Sequence, residues 1–511
     1  MGQTSKDIFR HLEDATLEND RLRRENKKLR LENQELRVSN KRLHKRIEAL
    51  EATMEERIKQ SVAEAVAKAI EPLHKIIAEK DNEILRLKTQ INKDSSNSSK
   101  PTTSNGFKKV PNNREKSGKK QGGQQGHKGT RLNIPADLDE LVAAGKAEHV
   151  ITSEVSEGEK YVSDWTIDIK IVTVYTEHRR KPGKPPKIEY GLQLRAVAVY
   201  LSVIGLISYN RLSQFFHELT DNLITVSKAT LEGFVRSASR SINLTPLVQD
   251  LLNGKVINVD ETPIKTTQRP DKDGNLKVVE KTTSYGYIRT YSNDMTTVLT
   301  ANPFKTEESI NTDNILTQFH GIISQDHEAK FYNFGNANAT CGTHLTRELL
   351  GMYQLQMLTW AEDVRQFFLE MNKYKKEDLS RGSIACDPSL LCQFEARYDE
   401  HIKVGREQLS QMKEKTFGYD SLRRMVNRLE KYKHSYLLFI RNYDAPFTNN
   451  QAERDLRHCK TKQKVSGCFR TWGGVIDYCK ISSLLITTKK RGGNLLLALS
   501  SLWVCSVPAG Q

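Results

Sequence analysis

Three acidic residues sit in settings that would carry them toward one point. In VINVDETPIK (Val256–Lys265), an apolar, β-branched run climbs to Asp260. In GIISQDHEAKFYNF (Gly321–Phe334), Asp326 follows a second apolar run, and in NNQAERDLR (Asn449–Arg457) Glu453 lies in a helix start. The first two have the pattern of buried strands carrying a carboxylate out at their ends. Oxygen ligands are what hard divalent cations require, and Mg²⁺ keeps waters that phosphate oxygens can replace. Two such ions about 3.5–4 Å apart can activate a water or 3′-hydroxyl and stabilise the leaving oxygen of an in-line displacement. Without metal, three converging carboxylates would repel, and at least one pKa would rise. A basic run beside Glu453 (Arg454, Arg457, Lys460, Lys462, Lys464 and Arg470) would hold phosphates around such a site.

Each acid also has a plainer reading. Asp260 could be a strand-end turn residue, and Asp294 and Asp313 are nearby rivals of Asp326. Asn450-x-x-Glu453 reads as a capping box, with Asn450 as N-cap, and Glu453 and Arg457 are spaced as an i,i+4 pair. Cys341-x-x-His344 could join Cys459 or Cys468 around zinc, but CxxH without a matching second pair is common by chance. No zinc is therefore expected.

Composition sets the class. A chain of 511 residues is too long for one core, so two to four domains are expected. The net charge of +16 suits a polyanionic partner. Seven cysteines without CxxC spacing fit a reduced cytosolic setting. The start has no apolar signal core, and no run approaches the ~20 apolar residues of a membrane span. These features predict a soluble, intracellular protein facing nucleic acid.

The elements that must position the acids come next. Residues 1–93 read as a dimerising coiled coil. Leu22, Leu29, Leu36, Leu43 and Leu50 recur every seven residues, with Asn19, Asn26, Asn33, Asn40 and Ile47 at the other core position. Asn there costs stability but pairs with its twin and fixes register in a parallel dimer. Glu18, Glu25 and Glu32 face Arg23, Arg30 and Arg37 of the partner helix, and Pro72 predicts an interruption. The alternative is a long solvated helix. Residues 94–131, rich in Ser, Asn, Gly, Lys and Arg, predict a basic flexible linker. Its GQQGHKGT fails phosphate-loop spacing.

Residues 132–250 predict a helical DNA-binding region, with one strand-like run, Trp165–Thr176, in its first part. Within it, Arg211–Leu219 and Ser227–Ala238 have the cadence of helix-turn-helix, with Ser227 as N-cap and Lys228 and Thr230 able to reach DNA; plain helix packing is the competing reading. Residues 251–342 predict three strands, a helix over Thr306–Gln318 and a further strand, which suggests a mixed sheet flanked by helices. The DKDGN turn there is not an EF-hand loop. Residues 343–445 predict a helical insertion, and 446–511 a last core helix with a basic C-terminal region.

VDET (Val259–Thr262), QDHEAKFYNF (Gln325–Phe334), CGTHLTRELLG (Cys341–Gly351) and NNQAERDLR…KQKVSGCFRTWGG (Asn449–Gly474) resemble transposases of the bacterial insertion sequence 66 family. NSSKP (Asn97–Pro101) and GGQQGHKG (Gly122–Gly129) are similar to that family's front end. The resemblance spans nearly the whole chain in motif order, and NNQAER is its most specific part. It implies a DDE transposase with a ribonuclease-H-like mixed α/β catalytic core, using Mg²⁺ or Mn²⁺ for DNA strand cleavage and transfer. The whole is then an α+β multidomain chain. Carried over by motif, Asp260, Asp326 and Glu453 are the catalytic and metal-binding acids, 66 and 127 residues apart. His344 and Arg347 match a His/Arg pair expected near substrate phosphates. Implied partners are transposon ends, target DNA, a second copy through the zipper, and small element-encoded accessory proteins; the implied setting is the bacterial nucleoid. Relatives carry a cysteine-rich zinc segment after the GGQ motif, whereas Leu132–Arg180 has no cysteine. A decayed or repurposed transposase kept as a DNA-binding protein is the main alternative, and a nuclease that cuts without joining is a third.

Overall fold

The computed structural model describes residues 4–94, 96–98, 133–152, 160, 162–179, 185, 187–278, 285–414 and 416–504. Most of the predicted linker, with its GQQGHKG motif, lies outside them. The chain divides into two compact units, Met1–Ile91 and Asn92–Gln511.

The first unit is one helix, α1 (Thr4–Asn92), which runs straight through Pro72. The interruption predicted there does not occur. Proline removes one hydrogen bond of the ladder, and the flanking run of helix-forming residues carries the helix past it. The predicted core leucines Leu22, Leu29, Leu36, Leu43 and Leu50 are each about half exposed in the single chain.

The second unit begins with a bend rather than with loose linker. Asp94 N–H donates to Asn97 Oδ1 at 2.9 Å, and Ser96 Oγ–H to Asp94 Oδ1 at 2.6 Å. Asn97 and Ser98 are buried, the Asn97 carbonyl lying where any side chain at Gly351 would stand. After the short α2 (Leu138–Ala143), the strand-like run Trp165–Thr176 forms no strand. Its alternating Ile167, Ile169 and Ile171 are exposed, because a strand without a ladder partner has nothing to satisfy its backbone groups.

The helices predicted over Tyr190–Ile242 are α3 (Leu192–Val203), α4 (Tyr209–Leu219) and α5 (Lys228–Ser241), followed by α6 (Thr245–Leu252). Ser227 caps α5, accepting from Thr230 N–H at 3.1 Å. Five strands then form a mixed sheet in the order β5-β4-β1-β6-β7. They are β1 (Val256–Lys265), β4 (Tyr285–Ser292), β5 (Thr297–Asn302), β6 (Ile322–Gln325) and β7 (Ala337–Thr340). A small ribbon of β2 (Gln268–Pro270) and β3 (Leu276–Val278) flanks the DKDGN turn. The β2–β3 ribbon and β7 were not legible as strands, each being only three or four residues long. The helix expected over Thr306–Gln318 splits into α7 (Glu307–Asp313) and a 3₁₀ turn at Leu316–Gln318, broken where Asn314 adopts a left-handed conformation.

The insertion between Asp326 and Glu453 is helical, as predicted: α8 (Gly342–Gln356), α9 (Thr359–Ser380), α10 (Pro388–Gln411), α11 (Tyr419–Lys431) and α12 (Lys433–Arg441). It buries its own core around Trp360, Phe367, Phe368, Tyr398 and Leu437. Then come α13 (Asn450–Ser466), α14 (Trp472–Lys490) and α15 (Leu495–Val504).

One sheet face packs Ile264, Ile288 and Leu299 against α14, in a core continuous with α3, α5 and α15. The helix-turn-helix-like pair therefore shares its core with the C-terminal helices. The other face packs Ile257, Val259 and Tyr291 with α6 and α7. Edge strand β5 is closed by side chains of α14: Thr297 N–H donates to Thr487 Oγ1 at 3.0 Å, and Leu299 N–H to Ser483 Oγ at 2.8 Å. Among the described residues no helix is long and apolar enough to cross a membrane.

Candidate active site

Asp260 stands midway along β1, opposite Thr290 of β4, rather than at the strand end that the sequence suggested. The parallel ladder to β6 stops at Asn258 and Ser324. Asp260 thus lies just past the point where β1 and β6 part, and Asp326 is the first residue beyond β6. Alternation along a strand puts Asp260 and Glu261 on opposite faces. Asp260 lies on the face that carries Ile264 toward α13 and α14.

Glu261 enters a buried network instead. It pairs with Arg289, itself wholly buried, and with Lys330. Arg289 also meets Asp313, which accepts from Tyr291 Oη–H at 2.6 Å and Thr300 Oγ1–H at 2.9 Å. Asp313, the rival of Asp326, is therefore a structural partner. Such a network is costly to break, because loss of one member strands a buried charge.

Asn449 locks the third acid to the first two. It is fully buried, and its side-chain amide donates to Val259 O at 2.8 Å and to Asp326 Oδ1 at 3.2 Å. Its backbone N–H points at Cys341 Sγ at 3.3 Å. One residue thus grips β1 beside Asp260, Asp326 itself, and the start of α8. It is also the N-cap position of α13, without a side-chain cap bond. The capping box predicted from Asn450 and Glu453 is absent, because the helix starts at Asn450 and places Glu453 one residue too late to reach back. Among the described residues Glu453 forms no ion pair with Arg457, and its Oε1 is buried without a hydrogen-bond partner.

His344 occupies the space between the acids. Its Nδ1 lies 3.3 Å from Asp326 Oδ1 and 3.7 Å from Glu453 Oε1, in charge contact but off the hydrogen-bond direction. Burial opposes a charge on the ring, yet Asp326 and Cys341 outweigh it and raise the imidazole to about 11. Asp260 is pushed up to about 7 by burial first and then by the charge of Asp326; Glu453 adds to this and Lys460 opposes it. Burial first, and neighbouring negative charge second, thus favour the protonated form of Asp260. His344, expected beside substrate phosphates, sits among the acids.

Of the other residues singled out for DNA, Arg347 lies one turn beyond His344 on α8, half-buried. Glu453, Arg457, Lys460 and Lys464 follow one another at helical spacing along α13. Arg454, Arg457, Lys464 and Arg470 are exposed, whereas Lys460 and Lys462 are half-buried. Burial lowers the pKa of Lys462. Lys228 is exposed at the first turn of α5, which packs mainly on α3, α4, α14 and α15.

Sequence reasoning missed Asn449, whose only signal was the doubled Asn of NNQAER. It set aside a grouping of Cys341 and His344 with Cys459 or Cys468. Cys459 is buried in α13, and Cys468 follows that helix. The structure instead groups Cys341 and His344 with Asp326, one ligand atom of each lying within 4.8 Å of the others.

The acids fit a divalent cation. Asp260 feels the charge of both Asp326 and Glu453 and holds its proton to near neutrality, and Glu453 Oε1 is buried with nothing to bond. A cation would relieve the repulsion and satisfy the orphaned oxygen.

A family model described as "Transposase IS66 family" matches residues 187–476, more than half of the chain. A relative from Sinorhizobium fredii (strain NBRC 101917 / NGR234), described as "Uncharacterized protein y4jO", is 33% identical over 75 residues, or 15% of this chain and 23% of that protein. The match thus spans less than a quarter of that relative's length. Among solved structures, the Drosophila P element transposase strand transfer complex is similar at 9% identity over 61% of this chain and 94% of that one, with a TM-score of 0.31. The Mos1 strand transfer complex is similar at 12% identity over 50% and 80%, with a TM-score of 0.10. Likenesses at these scores carry no argument about fold. The family match, by contrast, covers β1, α13 and all that lies between them, and so both motifs that bear the outer acids. The chain belongs to the IS66 family of transposases.

Proposed function

We propose that this transposase is of the DDE type, binding the ends of its element and carrying out divalent-metal-dependent strand cleavage and strand transfer on a ribonuclease-H-like core. The observation that carries the reading is the meeting of Asp260, Asp326 and Glu453 around His344 and Asn449, although 66 and 127 residues separate them in sequence. A five-stranded mixed sheet with its first strand central supports the core assignment.

Asp260, Asp326 and Glu453 would hold a cation of the Mg²⁺ or Mn²⁺ class. When bound, it supplies Lewis-acid stabilisation of the charge that develops on phosphoryl oxygens. The chain does the rest. Asn449 fixes the Asp326 carboxylate by its 3.2 Å bond and holds α13 against β1. Arg457, Lys460 and Lys464 follow Glu453 along α13, which would give the phosphate backbone a track toward the acids. The N-terminal heptads would pair two copies, and small element-encoded proteins are further expected partners.

The test scores transposition from a donor plasmid carrying the intact element, with matched levels of wild type and Asp326→Asn. Wild type should move the element and the variant fall to background, while end binding in a mobility-shift assay persists. Loss of end binding in the variant would count against a purely chemical role for Asp326. A wild type that binds ends but never cleaves them, even with accessory proteins supplied, would favour a DNA-binding protein.

A further inference from the structure

Asp326, Cys341 and His344 each present one metal-binding atom, and the three atoms lie within 4.8 Å of one another. Cys341 and His344 are three apart where α8 begins, so a single turn brings thiol and imidazole together. The scaffold beneath them is fixed. Cys341 N–H donates to Gln325 O at 2.8 Å, which seats the thiol beside Asp326, and Gly342 N–H donates to Phe447 O at 2.7 Å. His344 Nδ1, within the cluster, and Glu453 Oε1, beside it, have no hydrogen-bond partner and lie 3.7 Å apart. This donor set differs in kind from the carboxylate trio. A thiolate is a soft ligand, and with imidazole it selects zinc-like cations over Mg²⁺.

We propose that Asp326, Cys341 and His344 form a site for a thiophilic divalent cation of the Zn²⁺ class, sharing Asp326 with the hard-cation site. Zinc takes sulfur at about 2.3 Å, nitrogen at about 2.0–2.1 Å and carboxylate oxygen at about 2.0–2.2 Å, which in a tetrahedron sets ligand atoms about 3.3–3.8 Å apart. On binding, the Cys341 S–H bond breaks, its proton leaves to solvent and the sulfur lone pair forms the bond to the metal. His344 binds through a ring-nitrogen lone pair, releasing a proton if the ring is charged. Nothing is oxidised or reduced. Because Asp326 serves both sites, the two classes of cation compete, and zinc would inhibit strand chemistry. That consequence rests on the proposed function; the binding site does not.

The test titrates the full-length protein with Co²⁺ alone, a spectroscopic stand-in for Zn²⁺. Wild type should develop a thiolate-to-cobalt charge-transfer absorption that added Zn²⁺ displaces. Cys341→Ser should abolish the band and weaken Zn²⁺ binding by more than about 100-fold, beyond what loss of an outer-shell partner costs. His344→Gln should reduce the band with the thiol intact, and Asp260→Asn should keep it. Circular dichroism melts establish that each variant is folded. No band in wild type, or an undiminished band in folded Cys341→Ser, overturns the proposal. Mn²⁺ binding on the same samples separates the two sites: a cobalt band without Mn²⁺ binding would defeat the carboxylate reading and leave this one standing.

Discussion

At the scale of single residues, the proton on Asp260 would govern how the proposed carboxylate site takes a cation. Burial and the charge of Asp326 raise this carboxyl to about 7 from 3.8. Between those values the folded chain binds more protons than the unfolded one, so for this group metal-free stability falls as pH rises from about 4 to about 7. A cation must displace that proton. Mn²⁺ affinity, measured by titration calorimetry between about pH 5 and pH 8, should therefore climb about tenfold per unit and level off near 7. Asp260→Asn should bind more weakly and lose the climb. An affinity in wild type that is flat over that range would sink this account. That Asp260 lies in a strand and Asp326 directly after one was legible from the apolar runs that lead to them. What tunes them was not. Asn449 acts through contacts 190 and 123 residues away, and nothing local in NNQAER marks a buried amide that grips two strands. Likewise, CxxH shows a thiol and an imidazole sharing a helix turn, but only the fold reveals that their third companion is Asp326.

At the scale of elements, the insertion is fastened to the segment that leads into α13 by a buried lysine. Lys375 of α9 donates to Phe439 O at 2.8 Å, Tyr443 O at 3.1 Å and Ala445 O at 2.7 Å. The first belongs to the last turn of α12, whose carbonyls lack helix partners; the other two belong to the turn that follows. Lys375→Met keeps the stem and leaves three carbonyls without their donor. The variant should lose about 2–3 kcal/mol of stability in urea unfolding, while Lys375→Arg loses less. Equal stability of wild type and Lys375→Met would show that water replaces the ammonium. Long helices with clear apolar spacing, such as α9 and α11, could be read from sequence because packing follows that spacing. Short strands such as β7 could not, since four residues carry too little pattern. The run Trp165–Thr176 shows the converse, alternation without a partner to pair with.

At the scale of the whole molecule, α1 poses a question of solubility. Its heptad leucines are about half exposed in one chain, and an 89-residue helix with no core of its own gains little from local hydrogen bonding alone. Pairing in parallel would bury the leucines and match Asn26, Asn33 and Asn40 with their twins, which favours two strands over three. Sedimentation of the full chain should give a dimer, and Leu29→Glu with Leu36→Glu should give a monomer with reduced helicity. A monomeric wild type at micromolar concentration would refute the zipper.

The helical insertion also sets an order of events in the cell. It builds its own core, while Glu453 lies 127 residues beyond Asp326. On the proposed reading, a chain emerging from the ribosome carries Asp260, Asp326 and the strands before Glu453 is made, and a product that stops short of Glu453 would lack the third acid.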